Sequence, residues 1–125
     1  MHKTSISKVR AEQSGNSFRS LLRQEGDGIR RDVFLLLAPG QTESGRIQAG
    51  YSIIYPGCTT RGHAHEDREE VYFFRRGSGT MVVGEEESEV TAGDVFYVHP
   101  GPPHSTRNPT DFPLEYFWIT ITLDK

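Results

Sequence analysis

Short apolar runs cut by turn-forming residues organise this chain, and past the N-terminal third no convincing amphipathic helical period appears. Phe18–Leu22 and Val33–Ala38 are two such runs on either side of Gly26-Asp27-Gly28, and they predict two strands and a turn. The block Phe34-Leu35-Leu36-Leu37 is apolar on both faces, as expected of a strand sandwiched between layers or placed at a subunit contact, and Pro39-Gly40 ends it. Strands are then expected over Ile47–Tyr55, Val71–Arg75, Thr80–Val83, Val95–His99 and Leu114–Leu123. They stop at Pro56-Gly57, Gly77-Ser78-Gly79, Gly84 and Pro100-Gly101. Glu85-Glu86-Glu87 reads as a solvated hairpin loop, and Asp94 after Gly93 as turn chemistry. The expected class is all-β, with two facing antiparallel sheets in a sandwich or barrel.

Residues 1–17 are polar and aperiodic and predict a flexible N-terminal arm, with Ile6 and Val9 as its possible anchors, leaving 18–125 as a single domain. A chain of 125 residues holds one core and has no room for a separate DNA-binding module, which argues against a self-contained transcription factor. The net charge of −3 gives no basic footprint, although Arg19, Arg23, Arg30 and Arg31 make the N-terminal third locally positive, so nucleic acid is not expected as a partner. No apolar run approaches the length of a membrane span, so no membrane partner is expected either. Cys58 is the one cysteine, which excludes an intramolecular disulfide. The start Met1-His2-Lys3-Thr4-Ser5 lacks the apolar run of a signal peptide, so the expected location is cytoplasmic.

The candidate chemistry lies in two segments. His63 and His65 are two apart, so on a strand both imidazoles face the same side. Taken alone, such a pair is as readily two surface or hydrogen-bonded core residues. Glu70 and, a module later, His104 change the balance, because neutral imidazole with one carboxylate suits first-row divalent ions. Alternation from Glu70 puts Tyr72 and Phe74 on its face, with Val71 and Phe73 on the other, so Glu69 should be a surface charge.

Gly57, His63, His65, Glu70 and Gly77, followed by Gly93, Gly101, His104 and Asn108, resemble the two motifs of the cupin superfamily, G(X)5HXH(X)3-4E(X)6G and G(X)5PXG(X)2H(X)3N. His99 stands at the proline position of the second motif, with Pro100 beside it to stiffen the turn. The resemblance implies a small single-domain jelly roll, a double-stranded β-helix. It also implies one divalent metal ion (Fe, Mn, Ni, Co or Zn) held by His63, His65, Glu70 and His104.

Four protein ligands leave positions open on a six-coordinate ion, which permits dioxygenation of a chelating keto compound or Lewis-acid isomerase, lyase or cyclase chemistry on a small polar molecule. The alternative is a metal- or ligand-binding cupin without catalysis, a sensor or storage module. Tyr72, His99 and Arg61 are the candidate catalytic residues. Tyr72 would wall the pocket or simply pack the core. His99 would act as acid or base at the mouth, or be an exposed strand end. Arg61 would hold a substrate carboxylate or phosphate, or face solvent. Asn108 is expected to hydrogen-bond backbone. Glu115, Phe117, Ile119 and Ile121 alternate with Tyr116, Trp118, Thr120 and Thr122, so one strand face can line the core and the other a homodimer contact.

Overall fold

The structure is a computed structural model and describes residues 2–11, 31–60, 62 and 64–123. The expected strand Phe18–Leu22, the turn Gly26-Asp27-Gly28, and both Arg61 and His63 lie outside the described residues. Among the described residues eight strands follow in chain order: β1 (Arg31–Leu37), β2 (Ile47–Ile54), β3 (Arg68–Arg76), β4 (Ser78–Val83), β5 (Glu86–Thr91), β6 (Val95–Val98), β7 (His104–Arg107) and β8 (Leu114–Thr122). They form a five-stranded sheet, β1-β2-β8-β3-β6, and a three-stranded sheet, β5-β4-β7. Every strand pairing is antiparallel, as a jelly roll requires. No helix among the described residues is long and apolar enough to cross a membrane.

Period-two alternation builds the core. In β3, Glu70, Tyr72 and Phe74 are buried while Phe73, Arg75 and Arg76 are exposed. In β8, Leu114, Tyr116 and Thr120 are buried and Ile121 is exposed. Tyr72 stacks on Tyr116 at 4.9 Å between ring centres, and Phe74 leans on Tyr116 at 5.1 Å and on Phe96 at 6.2 Å. Ile54, Met81, Val90 and Val98 complete this cluster from both sheets. Gly77 turns β3 into β4 at φ +83, where a Cβ would also lie 2.3 Å from the Pro113 carbonyl oxygen, so this motif position admits only glycine without a shift of backbone.

One sequence expectation changes, and two strands stand out for how they are held. Glu86 and Glu87 are not loop but the start of β5, paired with Val83 and Val82. Only Val90 of β5 is buried, so the strand owes its existence to the β4 ladder and carries almost no apolar signal of its own. β7 is likewise a strand with a single apolar-poor turn of sequence, His-Ser-Thr-Arg, held by pairing with β4. Among the described residues β1 stands at the edge of the large sheet, and Phe34 to Leu37 are half-buried.

Asn108 anchors the loop between β7 and β8. Its side-chain amide donates to the carbonyls of Ile54 at 2.9 Å and Phe112 at 2.7 Å, and its oxygen accepts from the Thr110 amide at 3.0 Å and hydroxyl at 2.7 Å. All this happens at 1% exposure, where each bond counts nearly undiluted by water.

Candidate metal centre

Backbone bonds carry the loop after β2 across to the small sheet. The Thr60 amide donates to Thr106 O at 2.9 Å, the Asn108 amide to Cys58 O at 2.8 Å, and the Gly101 amide to His65 O at 2.8 Å. The Thr60 hydroxyl in turn accepts from the Thr106 amide at 2.8 Å. These ties hold His65, which precedes β3, against the segment that delivers His104. Cys58, in the same loop, is half-buried and packs against the core.

His104 enters from β7 of the small sheet and Glu70 from β3 of the large one, and they meet. His104 Nε2 lies 2.6 Å from Glu70 Oε2, with the two residues 3% and 7% exposed. Thr120 on β8 donates its hydroxyl to the other carboxylate oxygen at 3.3 Å, which orients Glu70. The His65 ring centre is 6.0 Å from that of His104, and Tyr72 stands edge-on to His104 at 6.1 Å.

A cavity of about 60 Å³ opens over the inner face of the large sheet. Its walls are Arg31 and Val33 from β1, Gln48 and Ser52 from β2, Arg68, Glu70 and Tyr72 from β3, Tyr116, Trp118 and Thr120 from β8, and His65. Gly50 makes room for the wall: a Cβ there would sit 2.2 Å from the Trp118 ring, whose indole N–H donates to the Ser52 hydroxyl at 3.0 Å.

The electrostatics suit a cation beside neutral donors. Burial lowers the pKa of His65, with the Glu70 charge pulling the other way, so its imidazole is held toward the neutral form with a lone pair to offer. Burial raises the Tyr72 hydroxyl well above its ordinary value, assisted by Tyr116 and Glu70 and opposed by Arg31, so it keeps its proton. Two imidazoles and one carboxylate are donor chemistry that suits a first-row divalent ion, and of the three His65 and Glu70 line the cavity. Among the described residues no group of three His, Cys, Asp or Glu stands in metal-holding geometry, and His63 is not among them.

Of the remaining candidates, Tyr72 lines the cavity, whereas His99 is exposed and is not part of its wall. Glu69 faces outward toward Tyr97. Sequence reasoning missed Arg31 and Arg68 as cavity residues. Strand alternation carried the signal for Arg68, which shares the inward face of β3 with Glu70; nothing local marked Arg31.

The family described as Cupin domain matches residues 50–120, which spans the loop, β3 and the β7–β8 segment that build this site. The chain belongs to the cupin family. A crystal structure from Thermotoga maritima described as a predicted oxalate decarboxylase superposes with a TM-score of 0.79 over 98% of this cupin and 100% of its own chain, at 20% identity, which establishes the shared fold. Glucose-6-phosphate isomerase of Thermococcus litoralis is 31% identical over 104 residues, covering 73% of this chain and 54% of that protein. An oxalate-binding protein of Thermotoga maritima is 31% identical over 68 residues, covering 54% of this cupin and 56% of its own length. The chain thus spans about half the length of these two relatives.

Proposed function

We propose that this cupin is a metal-dependent enzyme acting on a small polar organic molecule, with His63, His65, Glu70 and His104 holding one divalent ion. The observation that carries the reading is the meeting of Glu70 and His104 from opposite sheets, 2.6 Å apart, with His65 beside them at the cavity. Such an ion would polarise a carbonyl or enediolate as a Lewis acid, or as iron supply oxygen chemistry. The chain's own groups do the rest: Thr120 orients Glu70, Trp118 and Tyr116 restrict water, and the protonated Tyr72 hydroxyl is available to a bound polar ligand. The similarity to a glucose-6-phosphate isomerase favours isomerisation over dioxygenation. The similarity to an oxalate-binding protein supports a second reading, ligand binding without turnover.

Elemental analysis of untagged protein is expected to find about one divalent metal per chain, the stoichiometry of one closed donor set. Aldose–ketose interconversion followed by NMR, oxygen uptake with diketones, and oxalate calorimetry then separate the isomerase, oxygenase and binding readings. Tyr72→Ala is expected to change ligand affinity or turnover with metal content retained. Absence of metal from protein purified without chelators would remove the proposal.

We also propose a homodimer through the outer face of the large sheet. Phe73, Val95, Tyr97 and Ile121 are exposed there on β3, β6 and β8, beside the half-buried Phe117 and Ile119, a contiguous apolar face of the kind that marks an interface. Sedimentation at micromolar concentration is expected to report a dimer, and Phe73→Glu to shift it toward monomer with metal content unchanged. A wild-type monomer would refute the interface.

A further inference from the structure

Register grades the inner face of the large sheet. Gln48, Thr120 and Glu70 lie opposite one another on β2, β8 and β3 as a polar row, and two residues along the strands Gly50, Trp118 and Tyr72 form the next. Rows two residues apart on one face are separated by about 7 Å. Trp118 fills the space that Gly50 leaves, since a Cβ on Gly50 would lie 2.2 Å from its Cζ2 and 2.6 Å from its Cε2. The indole Nε1–H donates to the Ser52 hydroxyl at 3.0 Å, and Ser52 is 1% exposed, so the ring is tethered at a second point. An indole has that one polar hydrogen and no other donor. With it committed to Ser52, the surface that Trp118 gives the cavity wall is carbon, fixed in place one row from Glu70.

A carbon wall favours carbon on the ligand, whereas a ligand oxygen placed against it gives up water without gaining a hydrogen bond. From this geometry we infer that Trp118 is the specificity-determining residue of the ligand site. It selects a compact ligand whose polar end, directed at the Glu70 row, carries a hydrocarbon flank. Small 2-oxo or hydroxy compounds bearing a methyl or ethyl group are of this class. Oxalate, with oxygen on both carbons and no C–H bond, is not. At about 60 Å³ the cavity has room for about four to six water-sized groups, so the enclosed part of the ligand is a few carbons long. Ser52 is a positioning residue that acts through the indole. The inference rests on the proposed use of this cavity as the ligand site, and deepens it by naming the ligand class.

The test titrates pyruvate, 2-oxobutanoate and oxalate into the purified full chain, with metal content measured on the same sample. The two oxo acids share charge and donor oxygens and differ by one methylene, so 2-oxobutanoate is expected to bind about fourfold more tightly than pyruvate. In Trp118→Gln that ratio is expected to fall below about 1.5, with oxalate affinity within about twofold of wild type, a pattern that general damage to the site would not give. Trp118→Phe keeps a carbon surface without the tether and should be intermediate. Oxalate that does not bind at all supports the selection, and the metal content of the variant then serves as the control. Thermal melts check each fold, and if Trp118→Gln does not fold, Ser52→Ala decides, its ratio expected to fall below about two as the indole N–H is released. A wild-type ratio under about two, a ratio unchanged in the variants, an equal loss of oxalate, or oxo acids that fail to bind below about 10 mM overturns the inference. A Trp118-dependent ratio in protein that holds no metal leaves this inference standing and removes the metal reading alone.

Discussion

Glu70→Gln is expected to strip the protein of the divalent ion we propose it holds while leaving it folded. The amide keeps the volume of the carboxylate and can still accept from the Thr120 hydroxyl, now 3.3 Å from Oε1, so packing between the sheets survives. What disappears is the one anionic donor in the set. Even partners that only orient a metal ligand cost about 10- to 100-fold in affinity when removed, so loss of a ligand itself should cost about 100-fold or more. Metal content by elemental analysis is expected to fall from about one per chain to under about a tenth. His104→Ala should do the same with a larger loss of stability, because it also leaves a cavity between the sheets and takes away the group 2.6 Å from the Glu70 carboxylate. Retained metal in both variants would show that the ion sits elsewhere.

Asn108→Ala is expected to reverse that pattern, with a large loss of stability and no loss of metal below the melting temperature. The side chain is 1% exposed, and its removal takes a partner from the Ile54 and Phe112 carbonyls and from the Thr110 amide and hydroxyl, while the Thr110 hydroxyl can still donate to Phe112 O at 3.0 Å. Phe112, Thr110 and their neighbours are near the surface and can recover water, whereas Ile54 is fully buried. A net cost of about 3 kcal/mol follows from one or two buried groups left unsatisfied plus the lost loop anchor. For a domain of this size that lowers Tm by about 10 °C. Differential scanning calorimetry measures it. A change under about 1 kcal/mol would mean that the loop holds its shape by other contacts. The two variants together separate the motif positions, one proposed to serve the metal and one the scaffold.

Alternation along the chain was sufficient to find most of the strands and to turn Glu70, Tyr72 and Phe74 to one face, since a strand exposed on one side and buried on the other must write its period into its residues. The motif spacing likewise sufficed for the cupin family, because its glycines mark backbone positions, such as Gly77, that no other residue can occupy. β5 and β7 escaped notice because their stability comes from β4, a neighbour whose ladder can hold a strand with little apolar content. The place of β1 beside β2, at the edge among the described strands, was equally invisible, since local hydrophobicity does not reveal which strands will stand beside it. Above all, Arg31, legible in the chain only as part of a locally positive N-terminal third, became a cavity wall only when β1, β2, β8 and β3 lay side by side. Which charges share a cavity depends on strand order and register, and these are set by long-range pairing that no window of sequence contains.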